Sequence, residues 1–195
     1  EPEWWSQAQA VYQRSESGGG HWNFYEKLPD RWTIGLGQLK FYVKPTGFKH
    51  TGLFPEQAAN WSFMQERIRS AGVWTRPPRV LNLFAYTGGA TLACAAAGAH
   101  VTHVDAAKGM VLWAKENREL SGLPEESTRF IVEDAKAFVR REIRRGNFYD
   151  GILMDPPSYG RGPNGEVWKL ENELYPLVEL CSQVLSDTPL FFLVN

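Results

Sequence analysis

Leu81-Asn-Leu-Phe-Ala-Tyr-Thr-Gly-Gly89 is a short apolar run that ends in a paired-glycine turn, and its reading decides the architecture. The segment from Val80 to Phe84 lacks the polar alternation of a half-exposed strand, so it reads as a strand covered on both faces. The glycines that follow let the backbone turn sharply and approach a ligand that a side chain would exclude. Three runs of the same kind come next, Val101-Thr-His-Val104, Arg129-Phe-Ile-Val132 and Gly151-Ile-Leu-Met154, and Leu190-Phe-Phe-Leu-Val194 makes a fifth. Helical segments over 89–97, 107–120, 135–144 and 170–185 separate them. This alternation predicts an α/β domain with a doubly wound, mostly parallel, Rossmann-like sheet, right-handed crossovers and helices on both faces. Ligands of such sheets bind beyond the carboxyl ends of the strands, so the residues just after each strand are the functional candidates.

Upstream of Pro77-Pro78 the pattern is irregular, which divides the chain into an N-terminal extension over 1–76 and a core over 77–195. In the extension the stretch to Arg14 is expected as a short helix, and Ser15-Glu-Ser-Gly-Gly-Gly20 as a flexible linker. Arg31-Trp-Thr-Ile-Gly-Leu36 and Leu39-Lys-Phe-Tyr-Val-Lys44 predict a hairpin around a glycine-containing turn. Pro55 then opens a helix whose buried face carries Ala58, Trp61, Met64 and Ile68, with Gly72 at its end.

The 195 residues suffice for one sizeable core with a short attachment. A hydrophobic fraction of 43% and a charged fraction of 22% are those of a globular protein. No apolar run approaches the roughly 20 residues of a membrane-spanning helix, and no signal peptide is visible, so a cytoplasmic location is expected. Cys94 and Cys181 form neither a disulfide framework nor a CxxC pair, which suits a reducing compartment and leaves no metal site to expect. The net charge of -1 confines any nucleic-acid contact to a local basic patch. Tryptophan is concentrated at Trp4, Trp5, Trp22, Trp32 and Trp61; packing of a small N-terminal element is the simpler account, and stacking surfaces the other.

The strand ends carry the chemistry. The first opens into Phe84-Ala-Tyr-Thr-Gly88-Gly89, the second ends in Asp105, the third in Glu133-Asp134 and the fourth in Asp155-Pro-Pro-Ser-Tyr159. Asp105 is placed to accept both hydroxyls of an adenosine ribose. Asp134 is placed to accept the exocyclic amine of adenine, although an acid here also suits a helix N-cap. Acids at successive strand ends repel pyrophosphate. This argues against NAD, FAD and nucleoside triphosphates and for an adenosyl ligand bearing a sulfonium and an ammonium.

These motifs resemble those of class I S-adenosylmethionine (SAM)-dependent methyltransferases, and specifically the bacterial large-subunit (23S) ribosomal RNA methyltransferases grouped around a cytosine-C5 enzyme. Leu39-Lys-Phe-Tyr-Val and Lys49-His-Thr-Gly-Leu-Phe-Pro-Glu-Gln57 are similar to the hairpin and the element that precede the core in that family, with Glu56 and Ala58 departing from its usual Asp and Arg. The resemblance implies SAM as cofactor and RNA, ribosomal RNA above all, as partner. It implies that Phe84, Tyr86, Thr87, Gly88 and Gly89 line the SAM pocket. Asp105 and Ala106 would lie at the ribose, Asp134 and Ala135 at the adenine, and Gln57 would close over the cofactor. Asp155, Pro156, Pro157 and Tyr159 would lie between methyl donor and target base, with Asp155 also touching the cofactor. A complete fold of this class has two further strands, expected beyond Asn195.

Two chemistries fit. An exocyclic amine can give its hydrogens to an Asp side chain and a backbone carbonyl of the Asp-Pro-Pro motif while Tyr159 stacks on a flipped base. Cytosine C5 needs a thiolate to activate the ring. Neither Cys94 nor Cys181 lies at a strand end; in the resembling enzymes the nucleophile follows the fifth strand. Lys136, Arg140 and Arg144, with Arg141 and Arg145, form a basic stripe that reads first as a solvated helix face and second as a phosphate contact. Arg161 and Lys169 are the better substrate contacts because their loop borders the site. His50 and His103 read as packing residues rather than titrating groups. The competing functions are a SAM- or RNA-binding module without catalysis and an NAD-dependent oxidoreductase, the latter disfavoured by the lack of G-x-G-x-x-G.

Overall fold

The computed structural model describes residues 2–16, 19–47, 49–72, 75–161 and 167–195, without the side chains of Pro2, Trp4 and Arg161. Its residues cluster into two units, Glu1–Phe54 and Pro55–Asn195.

The first unit holds a short helix α1 (Pro2–Trp5) and two antiparallel hairpins, β1 (Ala10–Arg14) with β2 (Gly20–Phe24), and β3 (Trp32–Leu36) with β4 (Leu39–Val43). Leu39, Phe41 and Val43 alternate inward along β4 and are buried. The stretch to Arg14 is therefore not one helix. Its last five residues are a strand, and the glycine-rich segment after it closes a hairpin instead of linking domains; Ser17 and Gly18 of that segment lie outside the described residues. Tertiary pairing decides here: Tyr12 lies opposite Trp22, with their rings edge to face at 5.5 Å. Gly20 is required by that hairpin, since it has φ 154° and a Cβ would lie 2.1 Å from the Gln13 carbonyl oxygen.

The second unit opens with a 3-10 turn, Pro55–Gln57, and continues into α2 (Ala58–Ser70). There follow β5 (Arg79–Leu83), α3 (Gly89–Ala96), β6 (His100–Asp105), α4 (Lys108–Leu120), β7 (Thr128–Val132), α5 (Ala135–Arg145) and β8 (Gly151–Met154). A small hairpin of β9 (Tyr159–Arg161) and β10 (Val167–Lys169) precedes α6 (Leu170–Ser182) and β11 (Phe191–Val194). The five long strands make one all-parallel sheet in the order β11-β8-β5-β6-β7. The Rossmann-like reading thus holds. The β9–β10 hairpin was not expected, because three-residue strands carry too little pattern to separate them from the Gly-rich loop 160–165, of which 162–165 lie outside the described residues.

Every residue of β8 and four of the five in β5 are buried, which is why both read as unbroken apolar runs. On one face Leu81, Leu83, Ile152 and Met154 join Phe138 and Val139 of α5 and Leu177 and Cys181 of α6 in the main core. On α2, the spacing of Trp61, Met64 and Ile68 buries those three side chains. Trp61 packs so closely on α3 that a Cβ at Gly89 would lie 2.5 Å from the indole, and Cys94 Sγ of α3 meets Met64 Sδ at 3.8 Å. That packing groups α2 with the α/β unit, whereas the change of pattern at Pro77-Pro78 had grouped it with the 1–76 extension. The order of strands reverses between β5 and β8, and it is beyond the carboxyl ends of these strands that a ligand site is expected.

Candidate functional site

The loop leaving β5 is held in a rare conformation. Phe84 (φ 54°), Tyr86 (φ 51°) and Gly88 (φ 88°) are all left-handed, at a cost on the order of 1 kcal/mol for each residue bearing a side chain. Three contacts impose it. The Ala85 amide donates to the Val104 carbonyl at 3.1 Å, the Tyr86 amide to Asp105 Oδ2 at 2.8 Å, and the buried Asn117 of α4 donates from Nδ2 to the Thr87 carbonyl at 2.9 Å. Gly88 and Gly89 have a packing reason of their own: a Cβ would lie 3.0 Å from Ala114 in the first case and against Trp61 in the second. The glycine pair is thus explained by the protein's own interior before any ligand is considered.

Asp105 also accepts from the Ala107 amide, through Oδ1 at 2.8 Å. Burial pushes its pKa up, opposed by the two backbone donors, and the Tyr86 hydroxyl is pushed up by burial and by that carboxylate. Each Asp105 oxygen has one backbone donor and keeps a lone pair, the arrangement a vicinal diol requires. Ala106 beside it is exposed. Asp134 does what an acid before a helix does, capping α5 through Oδ1 to the Ala137 amide at 2.9 Å. Its other oxygen meets no donor among the described residues, while Ala135 is buried in the core and offers a ligand only its backbone. Glu133 is occupied by Arg141 at 2.7 Å.

At the end of β8, Asp155 is exposed and its one hydrogen bond among the described residues comes from Asn195 Nδ2 at 3.4 Å. Asn195, just past β11, accepts from Asn60 Nδ2 at 3.1 Å, and Asn60 also donates to Gln57 Oε1 at 2.8 Å. A polar chain thus runs from Gln57 through Asn60 and Asn195 to Asp155. Pro156 is buried. The Pro157 carbonyl accepts from Trp168 Nε1 at 2.6 Å, and the Trp168 ring lies 5.1 Å from that of Phe84. Tyr159, 52% exposed, opens the β9–β10 hairpin.

The structure therefore brings Phe84, Tyr86, Thr87, Asp105, Asp155 and Pro156 to one end of the sheet. Sequence reasoning missed Asn60, Asn117, Trp168 and Asn195. Asn195 was open to the rule that residues after strands are candidates; Asn60 stands one turn after Gln57. Asn117 and Trp168 act across the fold and left no local signal.

The other candidates fall into structural places. Cys94 and Cys181 are buried, and burial pushes both thiols up to about 12. His103 is wholly buried, shares a hydrogen bond with Thr91 Oγ1 at 2.9 Å, and burial lowers its pKa to about 3. Of the basic stripe, Lys136 pairs with Glu173, Arg141 with Glu133 and Arg145 with Glu142. Arg140 and Arg144 are exposed without an ion pair among the described residues. Lys169 is exposed, and the Arg161 side chain lies outside the described part.

The chain is 44% identical to a SAM-dependent methyltransferase of Agrobacterium tumefaciens, whose crystal structure superposes with a TM-score of 0.89 over 97% of this chain and 59% of that one. It is 33% identical over 135 residues to ribosomal RNA large subunit methyltransferase I of Photobacterium profundum, a match covering 69% of this chain and 32% of the relative. Against ribosomal RNA large subunit methyltransferase K/L of Magnetococcus marinus it is 31% identical over 95% of its own length and 25% of the relative's. The chain thus spans about a third or less of the curated relatives it matches. The family described as S-adenosylmethionine-dependent methyltransferase matches residues 7–180, which take in the hairpins and the ends of β5 to β8, and the chain belongs to that family.

Proposed function

We propose that this chain binds SAM at the carboxyl ends of β5 and β6 and directs its methyl group to a base of RNA, with large-subunit ribosomal RNA as the substrate class. The observation that carries the reading is the pairing of a fixed carboxylate with an unencumbered one. Asp105 is pinned by two amides with a lone pair left on each oxygen, which suits the ribose hydroxyls of the cofactor. Asp155, exposed at the neighbouring strand end, has most of its acceptor capacity unused. Asp134 with its second oxygen suits the adenine amine, and Gln57 stands on the α2 side of the same rim. The ribosomal substrate is supported by the names of the relatives. A cytoplasmic location accords with such a substrate, and no helix among the described residues is long and apolar enough to cross a membrane.

SAM supplies an electrophilic methyl group that needs little activation. The protein's part is alignment and exclusion of water. With SAM bound, its methyl carbon would be open to in-line attack by a nitrogen lone pair, with the S–C electron pair left on sulfur and the nitrogen's proton passed to the Asp155 carboxylate or to water. Asp155 and the Pro156 carbonyl, which accepts no hydrogen bond among the described residues, can take the two hydrogens of an exocyclic amine and direct its lone pair at the methyl carbon. The Pro157 carbonyl is already committed to Trp168. Cys94 and Cys181, buried and protonated, are unsuited to cytosine-C5 chemistry. Titration calorimetry with SAM and with NAD tests the cofactor: SAM binds and NAD does not, and the reverse overturns the reading. Transfer of labelled methyl from SAM to large-subunit RNA, followed by mass spectrometry of the nucleosides, tests the rest. An N-methyl base is expected, a C5-methylpyrimidine rejects the amine route, and absence of transfer with SAM bound favours a binding module.

A further inference from the structure

The N-terminal unit contains a cavity of about 490 Å³, within the ~300–1,000 Å³ range of small-ligand pockets. Gln9, Trp22, Leu28, Trp32, Pro45 and Thr51 are among the residues that line it. The two indoles stay half-buried, whereas the buried hydrophobic side chains of this unit, among the described residues, are Leu39, Phe41, Val43 and Leu53. Trp22 is fixed before any ligand arrives: its Nε1 donates to the Thr46 carbonyl at 2.9 Å, and its ring is braced by Tyr12 at 5.5 Å and followed along β2 by Phe24 at 6.5 Å. A ring held in this way adds little ordering cost when a planar group stacks on it. The surroundings lean positive. Exposed Lys27, Arg31 and Lys44 each adjoin a lining residue in sequence, namely Leu28, Trp32 and Pro45. The nearby acids are Asp30 and Glu26, and the Glu26 carboxylate accepts from Gln9 Nε2 at 2.9 Å. Arg31 lies over the Tyr42 ring at 3.9 Å.

Two indoles in the lining, a volume that accepts one base, and cations next in sequence to lining residues suit the chemistry of an unpaired nucleotide: stacking for the base, charge for its phosphates. We infer that this cavity is a second RNA contact, a stacking pocket for an unpaired base other than the one that is methylated. The inference rests on the RNA reading of the chain. It is tested by anisotropy of a short labelled single-stranded RNA with the full chain, comparing Trp32→Leu and Trp32→Phe. The leucine keeps an apolar filling and loses the stacking face, so Kd rises about tenfold; phenylalanine keeps a ring and holds Kd within about threefold. SAM affinity stays unchanged in both, since Asp105 and its loop belong to the other unit. Equal losses in the two variants, or none in either, overturn the pocket while leaving RNA as substrate. Failure of the unaltered chain to bind RNA, with SAM still binding, overturns both. A dimer of the unaltered chain in sedimentation that Trp32→Leu disperses shows the cavity to be a protein contact and likewise overturns the proposal.

Discussion

Strand β8 carries an aspartate at each end, and the two are treated in opposite ways. Asp150, just before it, is 1% exposed and held by three donors: Arg76 Nη1 at 2.6 Å, Arg76 Nη2 at 3.1 Å and the Arg79 amide at 2.8 Å. Burial alone would push its pKa up, but the Arg76 guanidinium and the Arg79 amide outweigh it and hold the carboxyl below its ordinary range. Asp155, just after the strand, is exposed with one long hydrogen bond. The end with the saturated acid ties the sheet together. The end with the unsaturated acid keeps acceptor capacity that no described residue uses.

The largest effect is expected at the saturated end. Arg76→Ala strands a buried carboxylate without its charged partner, and should cost about 2 to 3 kcal/mol and lower the thermal midpoint by about 5 to 10 °C. Because the folded-state pKa of Asp150 is lowered, its contribution is present at neutral pH and is lost as pH falls through the ordinary carboxylate range toward the folded value. A midpoint for Arg76→Ala within about 1 °C of the unaltered protein would break the contrast. Asp155→Ala should do the reverse. It should leave the midpoint within about 2 °C and SAM affinity within about threefold, yet lower methyl transfer about a hundredfold, by loss of the acceptor that orients the target. Loss of stability in place of activity would make Asp155 a second structural acid.

The same contrast explains what could be read in advance. Strands buried on both faces, such as Leu81–Leu83 and Ile152–Met154, announce themselves as apolar runs, and so the parallel sheet and its carboxyl-end rim were legible. β1 and β2 were not, because Ala10-Val-Tyr-Gln-Arg14 is half exposed and becomes a strand only through its pairing with Trp22 and its neighbours. At the rim, acids at strand ends were visible as residues but not as partners: the cap that Asp134 makes on α5 was open to local reading, but nothing local reveals that Glu133 is spent on Arg141 or that Trp168 takes the Pro157 carbonyl. Paired glycines were legible as a turn, whereas the reasons for them, Ala114 against Gly88 and the ring of Trp61 against Gly89, lie far off in the chain.

His103 is the intermediate case, a buried ionisable side chain managed by neutrality instead of pairing. It sits on β6 opposite Asn82 of β5, and Asn82 Nδ2 donates at 2.9 Å to the same Thr91 hydroxyl that bonds His103 Nδ1. Its Nε2 meets no partner among the described residues, and the ring stacks at a tilt on Phe130 at 5.1 Å. Burial disfavours the imidazolium and no carboxylate among the described residues bonds to the ring, so the folded state keeps the imidazole neutral down to about 3, while the unfolded chain takes the proton at about 6.5. Between those values the unfolded state binds more protons, so stability falls as pH is lowered through that window. From pH 7 to about pH 5.5, above the range in which Asp150 and Glu142 lose their charge, the loss should be about 1 kcal/mol. Urea unfolding at the two pH values measures it, and His103→Gln should remove that part of the difference. An NMR titration in which the His103 ring stays neutral at pH 5 is the companion test, independent of how well the variant folds. A ring that titrates near 6.5 in the folded protein would mean that solvent reaches Nε2, and the contrast between paired and neutral burial would then rest on Asp150 alone.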